Sequence, residues 1–466
     1  MQNRHFVNRA EELAFLERQW ASKEPSFAVL YGRRRVGKTE LISHFADDKP
    51  HLYFLCDKRG TASNAHRFSL RISEHFGEPP APYDQFDDAF QYLSKRLGGR
   101  KMAVLIDEFS YLVEKDDSIP SVFQLVWDQN LSQTNVMLIL CGSSISMMRK
   151  GVLSHESPLY GRRTGQWKAE PLQFKHVMKF FPKTPIGRII EYYALAGGIP
   201  QYLLKLDAQL DLKSNITKNV FTKGTFLYEE TSLLLSEELR EPATYYSILS
   251  AMSNETRLTD IANKAGVPAK DMPKYLDVLI DLEYVERLIP VTEDTSKRSL
   301  YRIKDNFFNF WFRFAAPNMS DLESGRQGPV MEKIAPELQK YVSRVVFEDV
   351  CQQALAHDVG AKFDTFGKWW GNYRDGGEKK TQDIDIVFLN KKTGDILFAE
   401  CKWSDGVDAK VVLGELKAKT AHVQWRDEYR KEHFAVFAKS FRRKEDLGKN
   451  VALYDLKKME KVFSAR

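Results

Sequence analysis

The sequence predicts an α/β chain: a parallel sheet wrapped in helices and closed by a helical lid, then three helices with a two-stranded wing, then a second α/β domain. Three observations carry this. Apolar runs at Phe27–Tyr31, Met102–Ile106 and Val136–Cys141 read as strands buried on both faces, with amphipathic stretches such as Phe86 to Leu97 between them. The first run feeds a glycine loop that opens into a helix. Far downstream, Gln382–Phe388 alternates polar and apolar residues, and a Thr393-Gly394 turn leads into a second run, Ile396–Trp403. A length of 466 residues suggests roughly three domains, expected at 1–235, 236–330 and 331–466.

Composition is that of a folded globular chain, 43% apolar and 28% charged. The 69 Lys+Arg against 63 Asp+Glu give a net charge of +6, which permits a nucleic-acid partner without requiring one. Cys56, Cys141, Cys351 and Cys401 are widely spaced and form no C-x-x-C pair, so they read as buried reduced thiols of a cytoplasmic protein. The first residues lack an apolar signal region and no run approaches the length of a membrane span, so no membrane association is expected.

The glycine loop is Gly32-Arg33-Arg34-Arg35-Val36-Gly37-Lys38-Thr39, which matches G-x-x-x-x-G-K-[ST] at every fixed position and sits between a strand and the helix that starts with Glu40. This is a P-loop. Its backbone N–H groups would curl around the phosphates of a nucleoside triphosphate at a helix N-terminus. Lys38 would reach the β- and γ-phosphates, and the Thr39 hydroxyl would ligate Mg²⁺.

Asp107-Glu108 ends the second apolar run. At the carboxyl edge of a parallel strand, Asp107 would hold Mg²⁺ through water and Glu108 would polarise the attacking water. Ser143 and Ser144 end the third run; Ser143 would sense the γ-phosphate, or serve as the N-cap of the next helix. Near the N-terminus, Asn8 is a candidate N-cap with Glu11 three residues on. Arg162 and Arg163 lie on a basic loop and would either stabilise transition-state charge, in cis or from a neighbouring subunit of a homo-oligomer, or simply face solvent. Gly197-Gly198-Ile199-Pro200 breaks a helical region and would let backbone approach the nucleotide base.

Together, Phe6-Val7-Asn8-Arg9 with Glu12, the P-loop, Asp107-Glu108, Gly142-Ser143-Ser144, Tyr160-Gly161-Arg162-Arg163 and Gly197-Gly198-Ile199-Pro200 resemble the archaeal-type P-loop ATPases of the STAND branch of the AAA+ superfamily. The resemblance covers residues 1 to about 235. It implies ATP as the nucleotide, with Arg9 and Pro200 beside the base, and an ATP-gated switch as readily as a motor. Asn8 stands where that family usually has glycine.

Helices are expected from Pro242 to Met252, from Leu258 to a glycine stop at Gly266, and from about Ala269 to Leu282, followed by strands at Tyr284–Pro290 and Ser299–Ile303. This order resembles a winged helix-turn-helix. DNA contact would fall on Lys270 and Lys274 and on wing residues Lys297 and Arg298. Asp271, Asp277 and Asp281 on the third helix leave a protein-contact role open. The aromatic run Phe307–Phe314 reads as core.

In the last third, a helix bearing Glu348 precedes the alternating pair of strands. Residues two apart on a strand point the same way, so Asp385 on the first strand and Glu400 and Lys402 on the second converge. Asp385 lies deeper than Asp383, the other acid on its face. With Glu348 they would hold Mg²⁺ or Mn²⁺ while Lys402 orients a hydrolytic water. Trp369 and Trp370 read as a groove wall or as core. The pattern D…E-x-K, over about 335 to 445, resembles the restriction-endonuclease-like PD-(D/E)xK nuclease core, and the order of domains resembles ATPases that carry a C-terminal DUF234 domain. The function this implies is an ATPase that engages DNA and cleaves it. The alternative is an ATP-dependent switch that binds DNA or protein without cutting.

Overall fold

The computed structural model describes residues 6–296, 298–443 and 446–465; Lys297 lies outside them. The chain divides into two compact units, one running to Pro171 and joined by Ile199–Gln201, the other comprising Leu172–Gly198 and Tyr202 onward.

The first unit is built on five parallel strands: β1 (Ser26–Tyr31), β2 (His51–Leu55), β3 (Met102–Asp107), β4 (Val136–Gly142) and β5 (Gly165–Lys168), in the order β2-β3-β4-β1-β5. The apolar runs make this arrangement possible, because β3 and β4 are buried along their whole length and can take helices on both faces. Phe27, Val29, Val104, Ile106, Leu138 and Leu140 share one core with helix residues such as Phe68, Phe90 and Phe123. Parallel pairing aligns the carboxyl ends: Tyr31 pairs with Gly142, and Ile106 with Leu140. The glycine loop, Ser143 and Asp107-Glu108 therefore emerge at one edge, from three adjacent strands.

Asn8 is not the cap of the first helix. That helix runs Ala10–Ala21 with Arg9 at the cap position in a left-handed conformation (φ 73°) and no side-chain cap bond. The turn instead aims the Arg9 guanidinium inward.

In the second unit, helices Pro242–Met252, Leu258–Ala265 and Met272–Asp281 precede an antiparallel pair, β6 (Val285–Leu288) and β7 (Leu300–Ile303). Gly266 closes the second helix in the left-handed region, as its sequence position predicts. The aromatic run is core: Phe307, Phe308, Trp311 and Phe312 are buried. The helix Gln327–Tyr341 continues through a π-helical stretch, Val342–Phe347, into Glu348–Asp358. It leads to a mixed sheet of β8 (Thr365–Asp375), β9 (Glu378–Leu389), β10 (Asp395–Lys402), β11 (Lys431–Ala438) and β12 (Val451–Tyr454), in the order β12-β11-β10-β9-β8. β8, β9 and β10 run antiparallel, and β10, β11 and β12 parallel. The helix Ala409–Thr420 lies between parallel β10 and β11 in the chain, as a crossover requires. Trp369 and Trp370 on β8 are both buried, as are all four cysteines, which are unpaired thiols. No helix among the described residues is long and apolar enough to cross a membrane.

Candidate functional site

The P-loop curls over the end of β1 because its glycines accept geometry other residues resist. Gly32 has φ 149°, and a Cβ there would stand 2.4 Å from the Ala169 carbonyl oxygen. Gly37 has φ 92°, with Pro200 beside it. Lys38 is buried and donates to the carbonyls of Gly32 (2.9 Å) and Arg33 (2.8 Å). Arg33 and Val36 are buried, Arg34 and Arg35 partly so, and Thr39 and Glu40 exposed. Arg9 braces the loop from outside: its guanidinium donates to the Val36 carbonyl, to Glu12 and to the Glu170 carbonyl.

Thr39 Oγ1 donates to Asp107 Oδ2 at 2.8 Å, so the hydroxyl and the carboxylate expected to share an ion are neighbours. Tyr53 OH donates to the same oxygen at 3.0 Å, and the Glu108 N–H to Asp107 Oδ1 at 2.9 Å. Glu108 sits in the left-handed region (φ 54°), and its Oε2 accepts from Ser143 Oγ at 2.6 Å. The two serines divide their work. Ser144 is the N-cap, its side chain accepting from the Met147 N–H, while Ser143 serves Glu108. Tyr53 was not legible as part of this site, because nothing local marks a tyrosine in β2 as facing the end of β3.

Arg162 and Arg163 are tied within their own region. Arg162 forks onto Asp128 and donates to the Pro158 carbonyl; Arg163 donates to the Tyr160 and Leu153 carbonyls and to Gln166. Among the described residues neither bonds to the P-loop or to Asp107-Glu108. The close backbone approach expected at Gly197-Gly198 is made to protein: a Cβ on Gly198 would fall 1.9 Å from the Leu172 carbonyl oxygen, while the Leu172 N–H donates to the Gly198 carbonyl at 2.7 Å. Gly198→Ala is expected to cost about 1–3 kcal/mol, as overpacking against backbone does, and to appear as a lowered melting temperature.

In the second unit the ladder between β9 and β10 ends at the pair Ile386–Ala399, and just beyond it Asp385 Oδ2 accepts the Cys401 N–H at 2.9 Å. Glu400, buried, takes Lys402 Nζ at 2.9 Å and Lys419 Nζ at 2.9 Å. Glu348 takes Lys368 Nζ at 3.0 Å; the same ammonium lies 3.4 Å from Asp383 and 4.0 Å from Asp385. Asp383 is exposed and Asp385 more enclosed, as the strand pattern implies. The carboxyls press on one another. Burial and then Asp385 raise the pKa of Glu348, and burial and then Glu400 raise that of Asp385. Burial works against the Lys368 charge, but Glu348, Asp385 and Asp383 outweigh it and hold the ammonium above its usual range. Lys368 and Lys419 were missed from the sequence because each meets its carboxylate across elements, from β8 and from the crossover helix.

The all-oxygen set of Glu348, Asp385 and Glu400 has the chemistry of a hard-cation site. Among the described residues no three His, Cys, Asp or Glu side chains stand in an ion-holding arrangement, and lysines engage Glu348 and Glu400 directly.

The first unit is thus a P-loop nucleotide-binding fold with its phosphate loop and strand-end acids in working proximity. An ATPase domain found predominantly in Archaea matches residues 6–206, and DUF234, a domain of archaeal and bacterial proteins of unknown function, matches residues 311–421. The uncharacterized protein MJECL04 of Methanocaldococcus jannaschii is 35% identical over 453 residues, spanning 95% of this chain and 97% of that protein. The uncharacterized ATP-binding protein MJ0423 of the same organism is 59% identical over 44 residues, 9% of this chain and 75% of that protein. The Walker-type ATPase PABY2304 of Pyrococcus abyssi shares the fold at a TM-score of 0.50 and 21% identity, over 66% of this chain and 96% of that one. The chain belongs to the same family as MJECL04, and it carries an archaeal-type ATPase domain followed by a DUF234 domain.

Proposed function

We propose that the chain binds and hydrolyses ATP at the P-loop, engages DNA, and cleaves it by metal-dependent phosphodiester hydrolysis at the Asp385–Glu400–Lys402 cluster. The ATP half rests on the Thr39–Asp107 hydrogen bond, which joins a hydroxyl and a carboxylate beside a lysine-bearing loop. Those oxygens suit Mg²⁺; Thr39 and Asp107 would hold it, and when bound it neutralises charge on the β- and γ-phosphate oxygens. Residues Gly32 to Glu40 cradle the phosphates, with the Lys38 ammonium turning from loop carbonyls to phosphate oxygens. Glu108 orients the attacking water and takes its proton, and Ser143 fixes the carboxylate that does so. Arg9 and Pro200 serve the base side, the first by bracing the loop. Arg162 or Arg163 stabilises transition-state charge, from a neighbouring copy if the chain assembles.

At the second site Glu348, Asp385 and Glu400 do not stand in an ion-holding arrangement by themselves; drawn together and released from their lysines, they would hold Mg²⁺ or Mn²⁺, which would supply a Lewis acid to the phosphodiester. Lys402 neutralises phosphate charge and orients water. One observation favours the non-cleaving switch instead: Lys368, Lys402 and Lys419 already offset the carboxylates.

Cleavage of labelled linear and branched DNA with Mg²⁺ or Mn²⁺, with and without ATP, separates the readings. Lys402→Ala and Glu400→Ala are each expected to reduce cutting by about 10²-fold or more and to leave DNA binding in place. Cutting indifferent to both substitutions would remove the cluster from the chemistry. No cutting by the unaltered protein, with ATP-dependent DNA binding intact, would establish the switch.

A further inference from the structure

A groove of about 760 Å³ runs between the wing and the C-terminal sheet of the second unit. Its walls come from the start of the helix Leu258–Ala265, from β7, from the π-helical stretch before Glu348 and from β8. The wing is fastened to that sheet and to the Glu348 helix. The Val291 N–H donates to the Lys368 carbonyl (3.0 Å), Trp370 Nε1 to the Arg298 carbonyl (3.1 Å), and Arg302 pairs with Asp349 (3.1 Å). The groove is therefore a built feature of the unit.

Its lining is cationic. Among the described residues Arg257, Arg298, Arg302, Arg313, Arg344 and Lys368 face it, against Glu348 and Asp383. Arg302 is matched by Glu286 and Asp349, and Arg298 by Glu293. Arg257 and Arg344 are exposed and make no ion pair among the described residues. Leu300, Tyr301, Val345 and Trp370 give the walls an apolar component. Lys368, also in the lining, is bound to Glu348 and thus to the carboxylate cluster.

We propose that this groove binds a single polynucleotide strand, with phosphates on Arg257 and Arg344 and bases against the apolar wall, and brings it past the Glu348–Lys368 pair. The inference rests on the nucleic-acid reading above and adds the strand form and its path. Size suits a strand lying inside the groove. The volume falls within the ~300–1,000 Å³ of pockets for small ligands, room for a nucleotide or two at a time. Exposed guanidinium groups that no carboxylate among the described residues holds in an ion pair match phosphate oxygens in fork geometry, and the charge of Glu337 acts on Arg344 from farther away. Cations beside aromatic and apolar surface are the means by which proteins hold single strands without reading their sequence. This path differs from the third-helix contact expected from Lys270 and Lys274.

The test uses the full chain carrying Glu400→Ala, in chelator, so that binding is read without cutting. Anisotropy of short labelled single strands, DNA and RNA in separate arms, is followed over a range of salt, with a blunt duplex and polyglutamate as competitors. Arg257→Glu with Arg344→Glu is expected to weaken single-strand binding at least ~10-fold and to lower the slope of log K against log salt by about 0.7 for each phosphate that is no longer neutralised. Lysine at both positions should retain most of the slope, and an unchanged melting temperature shows that the charge reversals fold. The tighter-binding arm names the sugar. Wild-type affinity and slope in the charge-reversed protein would overturn the proposal, as would a duplex or polyglutamate outcompeting the strand for the same arginines. If the protein with Glu400 restored binds through the groove but never cuts, the cleavage reading fails and the groove stands.

Discussion

Glu108→Gln is expected to lower ATP turnover by about 10²–10⁴-fold, the usual contribution of a positioned general base, with little change in ATP binding. The substitution is close to isosteric. A glutamine carbonyl can still accept the Ser143 hydroxyl, which donates to Glu108 Oε2 at 2.6 Å, so the rotamer and the left-handed backbone at this residue are kept. What is lost is the ability to take a proton from water. Phosphate release measured beside equilibrium ATP binding checks this. A variant that hydrolyses at the wild-type rate would remove Glu108 from proton transfer and leave it a structural partner of Ser143.

Lys38→Ala should have the second large effect, of a different kind. Both turnover and binding are expected to fall, turnover by about 10²-fold or more, the cost of removing a preorganised donor from developing charge. The lysine is buried and donates to the Gly32 and Arg33 carbonyls, so its loss also frees a loop held in conformations that favour glycine. Equilibrium binding separates the two substitutions: Glu108→Gln holds ATP without consuming it, and Lys38→Ala does neither. Equal ATP affinity in Lys38→Ala and wild type would contradict the role given to this ammonium.

The contrast between Ser143 and Ser144 shows how far local reading reaches. Two hydroxyls in sequence at a strand end promise one cap and one polar contact, but which serine does which depends on where the Glu108 carboxylate lies, and that is set by β3. The Gly197-Gly198 turn makes the same point. Its need for a close neighbour was legible, while the identity of that neighbour, Leu172, was not.

What the sequence determined by itself is what contiguous residues can encode: the strand–loop–helix of the P-loop, the apolar strands that end in Asp107-Glu108 and Ser143, the three helices and wing, and the β9–β10 pair that brings Asp385 near Glu400. Each rests on backbone periodicity or on glycine at a fixed step, and neither needs a distant partner. Only the tertiary structure decided that Arg9 turns into the P-loop, that Tyr53 joins Asp107, that Lys368 and Lys419 reach Glu348 and Glu400, and that the wing is fastened to β8 beside a cationic groove. Those contacts join residues on separate elements. They depend on strand register and on the direction in which packed side chains emerge, and neither is written in the spacing of residues along the chain.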